Sequence, residues 1–170
     1  LENAIRVLMA IGGSTNLVIH LIALAKMLDL ELPIERFDDL SRDTPYIADV
    51  KPSGRFAAVD LNRAGGIPAV MKEISSLLHL DALTVTCKTL GENIAEAEVK
   101  DRAVIHPFEK PISAEGGLAI LKGNLAPDGA VIKHVGARDK SLLQHEGPGL
   151  VFNSSRDAYK ALLKEDLMDT

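Results

Sequence analysis

The stretch LMAIGGSTNLVIHLIALAKML (8–28) decides the reading of this chain. Two glycines, two hydroxyls and an amide interrupt what would otherwise be one long buried helix. Before the break, Leu1, Ile5, Leu8 and Met9 recur at helical spacing, so residues 1–10 predict a helix. Gly12 and Gly13 end it, as glycine does at a helix C-terminus. Ser14, Thr15 or Asn16 can then cap a second helix, whose apolar positions Leu17, Leu21, Leu24 and Leu28 keep the helical period with Val18, Ile22 and Ala25 beside them. A helix N-terminus carries unpaired N–H groups and about half a positive charge. Glycines there let an anion approach the backbone, and Ser14, Thr15 and Asn16 add donors. The chemistry suits a carboxylate or phosphate of a small ligand. Taken alone, the stretch is better read as a plain helix–turn–helix with a capped second helix, since such caps are common.

Pro33 opens a short helix that includes Phe37 and Leu40. Residues 44–54, TPYIADVKPSG, read as an extended loop, and 57–63 as a short helix. AGGIPAVMKEISSLL repeats the opening device, with a glycine pair and Pro68 near a helix start. ALTVT (82–86) predicts a strand and Thr89–Ala97 a helix. Beyond about Val99 the segments shorten and prolines and glycines punctuate them. LAILKGN, GAVIKHV and GLVFN predict strands, and DAYKALLKE a closing helix capped by Ser154 or Ser155. A boundary falls near residues 100–112, mainly helical before it and mainly β after it. There is no internal repeat.

The 170 residues suffice for one ordinary domain or two small ones, and 46% of them are apolar with 25% charged, a globular balance. Aromatics make up 4% with no Trp, so the core must be aliphatic. A net charge of −5 argues against a nucleic-acid partner. No apolar run reaches a membrane span, since His20 and Lys26 interrupt residues 17–28, and no signal peptide is visible. A cytoplasmic protein is expected. The chain opens in mid-helix, which predicts a piece of a longer protein. A single cysteine, Cys87, excludes an internal disulfide, a Cys-based zinc site or an iron–sulfur cluster held by this chain alone.

Other candidates have ordinary readings. KPSGR (51–55) puts two cations around a turn. His79, His106, His134 and His145 lack metal-ligand spacing. His20 reads as a core histidine and Cys87 as a small buried hydrophobe. Glu92, Glu96 and Glu98 read as a wet helix face. No nucleophilic triad, P-loop or dinucleotide fingerprint is present.

Four stretches together are more specific than any one. AIGGSTNLVIHLIALA, ADVKPSGRF, RAGGIPAVMKE with LTVTCKTLGENI, and PISAEGGLAILKGNLAPDGAVIK occur in that order. The chain resembles the dihydroxy-acid dehydratase and 6-phosphogluconate dehydratase family, which includes sugar-acid (aldonate) dehydratases. The resemblance covers nearly the whole chain. It implies an α/β class, with the end of an N-terminal α/β domain (1–105) followed by the start of a C-terminal β-barrel-like domain (106–170).

The family's reaction removes water from a 2,3-dihydroxy carboxylate. A base, thought to be a serine, takes the C2 proton, a metal centre takes the C3 hydroxyl, and the enol becomes a 2-keto acid. The resemblance implies an iron–sulfur cluster and Mg2+ in the full-length protein, held by residues outside this chain, and none held here. Cys87 stands where the family often has glycine. No catalytic residue is expected in this chain, which alone should be inactive. The substrate-binding candidates are Gly13, Ser14, Thr15, Asn16, Lys51 and Ser53. The partner implied is a small-molecule hydroxy acid, and the full-length protein is expected to be a homo-oligomer. SLLQHEGPGLVFNSSRDAYKALLKEDLMD, with its leucine pair, HxG and DxLD-like acidic end, and KTLGENI lean toward an aldonate. A dihydroxy-acid dehydratase of valine and isoleucine synthesis is the alternative. A relative that binds a sugar acid without chemistry is the other.

Overall fold

The computed structural model describes residues 1–137 and 139–163 and forms two units, Leu1–Asp139 and Lys140–Thr170. The first unit is organised around α1 (Glu2–Ile11), with Ile5 and Val7 through Ala10 all buried. A helix apolar on more than one face must be covered on more than one side. Val7 and Ala10 join one aliphatic cluster with Ile47, Ala69, Val70, Ile74, Ile94, Val104 and Ile105. Ile5, Leu8 and Met9 join another with Val18, Leu21, Phe37, Leu40 and Leu118. α1 is thus the wall shared by two cores.

The end of α1 follows the sequence closely. Gly12 takes φ 54° and ψ 53°, a left-handed conformation that costs glycine little. Gly12 N–H donates to the Met9 carbonyl (3.2 Å) and Gly13 N–H to that of Leu8 (2.9 Å), the paired bonds of a Schellman motif. The remaining carbonyls at this end are met from distant parts of the chain. Ile47 and Ala48 N–H donate to Ala10 O at 2.9 and 3.2 Å, and Gly117 N–H to Met9 O at 2.9 Å.

The second helix, α2 (Asn16–Met27), differs from its expected packing. It buries Val18, Leu21 and Ala25, while Leu17, Leu24 and Leu28 are exposed. Every face of this helix is apolar, so period alone could not select the buried one. His20 lies on the open side and is exposed, not a core histidine. No described helix is long and apolar enough to cross a membrane.

Around these run α3 (Glu35–Arg42), α4 (Ala58–Arg63), α5 (Gly66–Glu73) and the single-turn α6 (Leu90–Asn93). Residues 82–86 form no strand. Thr84 and Lys88 close a tight loop, with Val85 fully exposed and Cys87 at φ 59°. Cys87 is therefore exposed, not a buried hydrophobe. The helix expected over 89–97 stops at Asn93. Glu92 is exposed, as expected, and also forms a capping box with Thr89.

β1 (Ala119–Gly123) and β2 (Ala126–Ile132) form an antiparallel pair, with Ile120 opposite Val131. Leu118, Ile120 and Val131 pack into the second core, and Ile120 N–H donates to Asp38 of α3 (2.9 Å). The first unit is therefore mixed, helices plus a two-stranded sheet. In the second unit α7 spans Ser155–Leu163, and Ser154 Oγ accepts from Asp157 N–H (3.1 Å), the expected cap. GLVFN (149–153) is irregular rather than a strand, with Val151 exposed. The acidic DLMD end lies outside the described residues.

Two expectations follow. Glu2 accepts from Arg36 (3.0 Å to Nε) and contacts His79 Nε2 (2.8 Å), tying the start of α1 to α3. The bonds from His79 first, then Arg36, lower its carboxyl from 4.5 to about 2. A depressed folded-state value means that the contribution is complete above about pH 4.5 and fades as the pH falls toward 2. Glu2→Gln should lower denaturant stability at pH 7 and converge with wild type at low pH; a gap independent of pH would contradict the ion-pair origin. A Cβ on Gly117 would lie 2.4 Å from Gly12 Cα, whereas one on Gly123 meets nothing within 4 Å. Gly117→Ala should therefore cost about 1–3 kcal/mol. Gly123→Ala should stay within about 0.5 kcal/mol on the same unfolding assay. Equal effects would refute the close approach.

Candidate functional site

The break between α1 and α2 opens onto a cavity of about 560 Å³. Ile11, Gly12, Gly13, Ser14 and Thr15 form one wall, Val50, Lys51 and Pro52 a second, and Ala58 and Leu61 of α4 a third. Lys133, just past β2, completes it. The 50–61 region and Lys133, far from each other in sequence, thus converge on the GGST turn.

Each wall has a local cause. The Gly12–Gly13 Schellman turn releases the chain so that Thr15 becomes the N-cap of α2. The expected side-chain cap does not form there: Thr15 takes helical angles, φ −58° and ψ −26°, and its hydroxyl makes no capping bond. Ser14 Oγ accepts from Asn16 N–H at a long 3.3 Å. Leu17 and Val18 N–H donate to the Ser14 and Thr15 carbonyls (3.0 and 3.2 Å), so the backbone donors left open among the described residues of this turn are the N–H groups of Ser14 and Thr15.

The second wall is held by Asp49, which is 9% exposed. Its carboxylate accepts from Arg55 N–H (2.8 Å) and from the Arg55 guanidinium, closing the turn over 49–55. Gly54 is required there, since a Cβ would lie 2.2 Å from the Asp49 carbonyl carbon. The two cations of KPSGR therefore part company. Arg55 is paired with Asp49, and Lys51 lines the cavity with its side chain exposed.

Of the six residues singled out from sequence, Gly13, Ser14, Thr15 and Lys51 line the cavity together. Ser53 sits on the same turn as Lys51 without lining it; its Oγ is buried and without a hydrogen-bond partner. Asn16 is the first residue of α2, exposed and outside the lining. Lys133 was not anticipated. Its signal was a single cation ending the apolar run of GAVIK, which strand alternation does not explain.

The electrostatics are one-sided. Two lysines and the start of α2 meet here, and no carboxylate is among the lining residues. Burial pushes the Lys133 ammonium below the usual lysine range. The rest of the lining is aliphatic: Ile11, Val50, Ala58 and Leu61. Such a site can hold an anionic head and a short alkyl body.

The described residues do not fit an iron–sulfur cluster or a magnesium ion. Its one thiol, Cys87, is exposed and not among the cavity residues. Among the described residues no three of His, Cys, Asp and Glu come together to hold a metal ion.

Comparison with known proteins gives a consistent match. The model of the dihydroxy-acid/6-phosphogluconate dehydratase N-terminal domain matches residues 1–93, and that of the C-terminal domain matches 103–170. A dihydroxy-acid dehydratase of Ignicoccus hospitalis is 56% identical over 95% of this chain and 30% of its own length. One of Methanococcoides burtonii is 46% identical over 98% of this chain and 31% of its own. One of Caldicellulosiruptor saccharolyticus is 48% identical over 96% and 30%. The chain spans about 30% of the length of these curated relatives.

Proposed function

Because the chain belongs to the dihydroxy-acid/6-phosphogluconate dehydratase family, we propose that the whole protein is a hydro-lyase converting a 2,3-dihydroxy carboxylate to a 2-keto acid. This chain then supplies the pocket for the carboxylate. The observation that carries the reading is the cavity at the GGST turn, lined by two lysines and by no acidic residue. A carboxylate there would accept from the Ser14 and Thr15 N–H groups just ahead of α2, with the Ser14 and Thr15 hydroxyls as further donors. The chemical centre belongs to parts of the protein beyond this chain. What the chain does is hold the substrate's unreacting end, so that C2 and C3 are presented in one orientation. The same reading assigns 1–105 to the α/β domain and 106–170 to the β-rich, barrel-like one, and expects a homo-oligomer.

Two details of sequence lean toward an aldonate. The relatives' shared name and the aliphatic lining favour a dihydroxy acid with a branched alkyl skeleton instead, as in valine and isoleucine synthesis. A polyhydroxylated chain against Ile11, Val50, Ala58 and Leu61 would leave hydroxyls unpartnered, which is costly when they are buried. Full-length protein should therefore dehydrate 2,3-dihydroxy-3-methylbutanoate in preference to gluconate. The reverse preference would restore the aldonate, and absence of turnover with either would favour a non-catalytic binder.

The Thr15 hydroxyl offers a finer test, since it caps nothing. In the full-length enzyme, Thr15→Val should leave the melting temperature unchanged. It should lower kcat/KM about tenfold to a hundredfold, the equivalent of one hydrogen bond to a charged group. A lower melting temperature with kcat/KM intact would make Thr15 a structural residue only.

A further inference from the structure

The cavity holds two lysines in unlike settings. Lys51 is exposed at the tip of the 49–55 turn. Lys133 is half-buried, and among the described residues its side chain has neither a hydrogen bond nor an ion pair. The segment after it is pinned in place. The His134 ring contacts the Gly116 carbonyl at 2.8 Å through Nε2. Val135 packs over the glycine pair: a Cβ on Gly12 would lie 3.4 Å from Val135 Cγ2, and one on Gly117 3.2 Å from it. Gly136 lies beside the buried, unpartnered Ser53 hydroxyl, which is 3.6 Å from the position of a Cβ there. Lys133 is therefore held against the GGST turn by packing, not by a charge partner.

We propose that Lys133 is the anchoring cation of this site, binding the substrate carboxylate together with the Gly12–Thr15 turn, and that Lys51 serves only to attract it. The inference rests on the carboxylate-pocket reading above and names a residue that it does not need. A half-buried ammonium with no counter-charge gains from an anion that supplies one, and water screens that attraction weakly. An exposed ammonium interacts through water, so its effect is small and fades with salt. The lowered proton affinity of Lys133 has burial as its sole cause, with no neighbouring cation involved.

The test uses the full-length enzyme with 2,3-dihydroxy-3-methylbutanoate. Lys133→Gln should raise KM about tenfold to a hundredfold, with a much smaller change in kcat. Lys133→Arg should recover part of that loss. Lys51→Gln should change KM by less than about threefold at 0.15 M salt, with an effect that shrinks as salt rises. A KM within about twofold of wild type in Lys133→Gln, or a larger effect from Lys51→Gln, overturns the proposal while leaving the dehydratase reading intact. A second readout needs neither turnover nor a folded variant. Trinitrobenzenesulfonate labelling of wild-type Lys133, followed by peptide mass spectrometry, should slow several-fold when the dihydroxy acid saturates the protein, with Lys51 labelling little changed. Unchanged Lys133 labelling would overturn the proposal. Protection without turnover would support anchoring while removing the enzymatic reading.

Discussion

The carbonyl end of α1 is the constraint on which the rest of the first unit depends. A helix leaves its last carbonyls without intrahelical partners, and a buried end must find them elsewhere. Here Leu8, Met9 and Ala10 are satisfied by the Gly12–Gly13 turn, by Ile47 and Ala48, and by Gly117. One helix end thus gathers a turn, an extended segment and the approach to the β-hairpin. The cavity lies where these meet, and its walls follow from that gathering.

Glycine makes the gathering possible. Gly12 adopts a left-handed conformation, and Gly117 approaches its Cα more closely than any side chain allows. Through this contact, residues in the region matched by the C-terminal family model reach residues in the region matched by the N-terminal one. Lys133 arrives at the GGST turn in that way, past a strand whose half-buried Val131 packs against the second core.

Much of this was legible in the sequence, for reasons specific to each element. The glycine pair after Met9, Thr89 with Glu92, and Ser154 ahead of Asp157 all mark helix ends by local chemistry, and local chemistry operates wherever the chain folds. The buried face of α2 was not legible, because a helix apolar all round carries no periodic signal. ALTVT was misread since β-propensity reflects packing, and Val85 packs on nothing. Thr15 and Lys51 were found in the site because they flank turns. Lys133 was missed because its place depends on a tertiary approach between Gly12 and Gly117 that no local pattern announces.

On the reading proposed above, the GGST turn receives the substrate's carboxylate. A crystal structure of the full-length protein with a 2,3-dihydroxy carboxylate bound tests it most directly. Carboxylate oxygens are expected within about 2.7–3.2 Å of the Ser14 and Thr15 backbone N–H groups. A carboxylate held elsewhere, with only water at that turn, would contradict it.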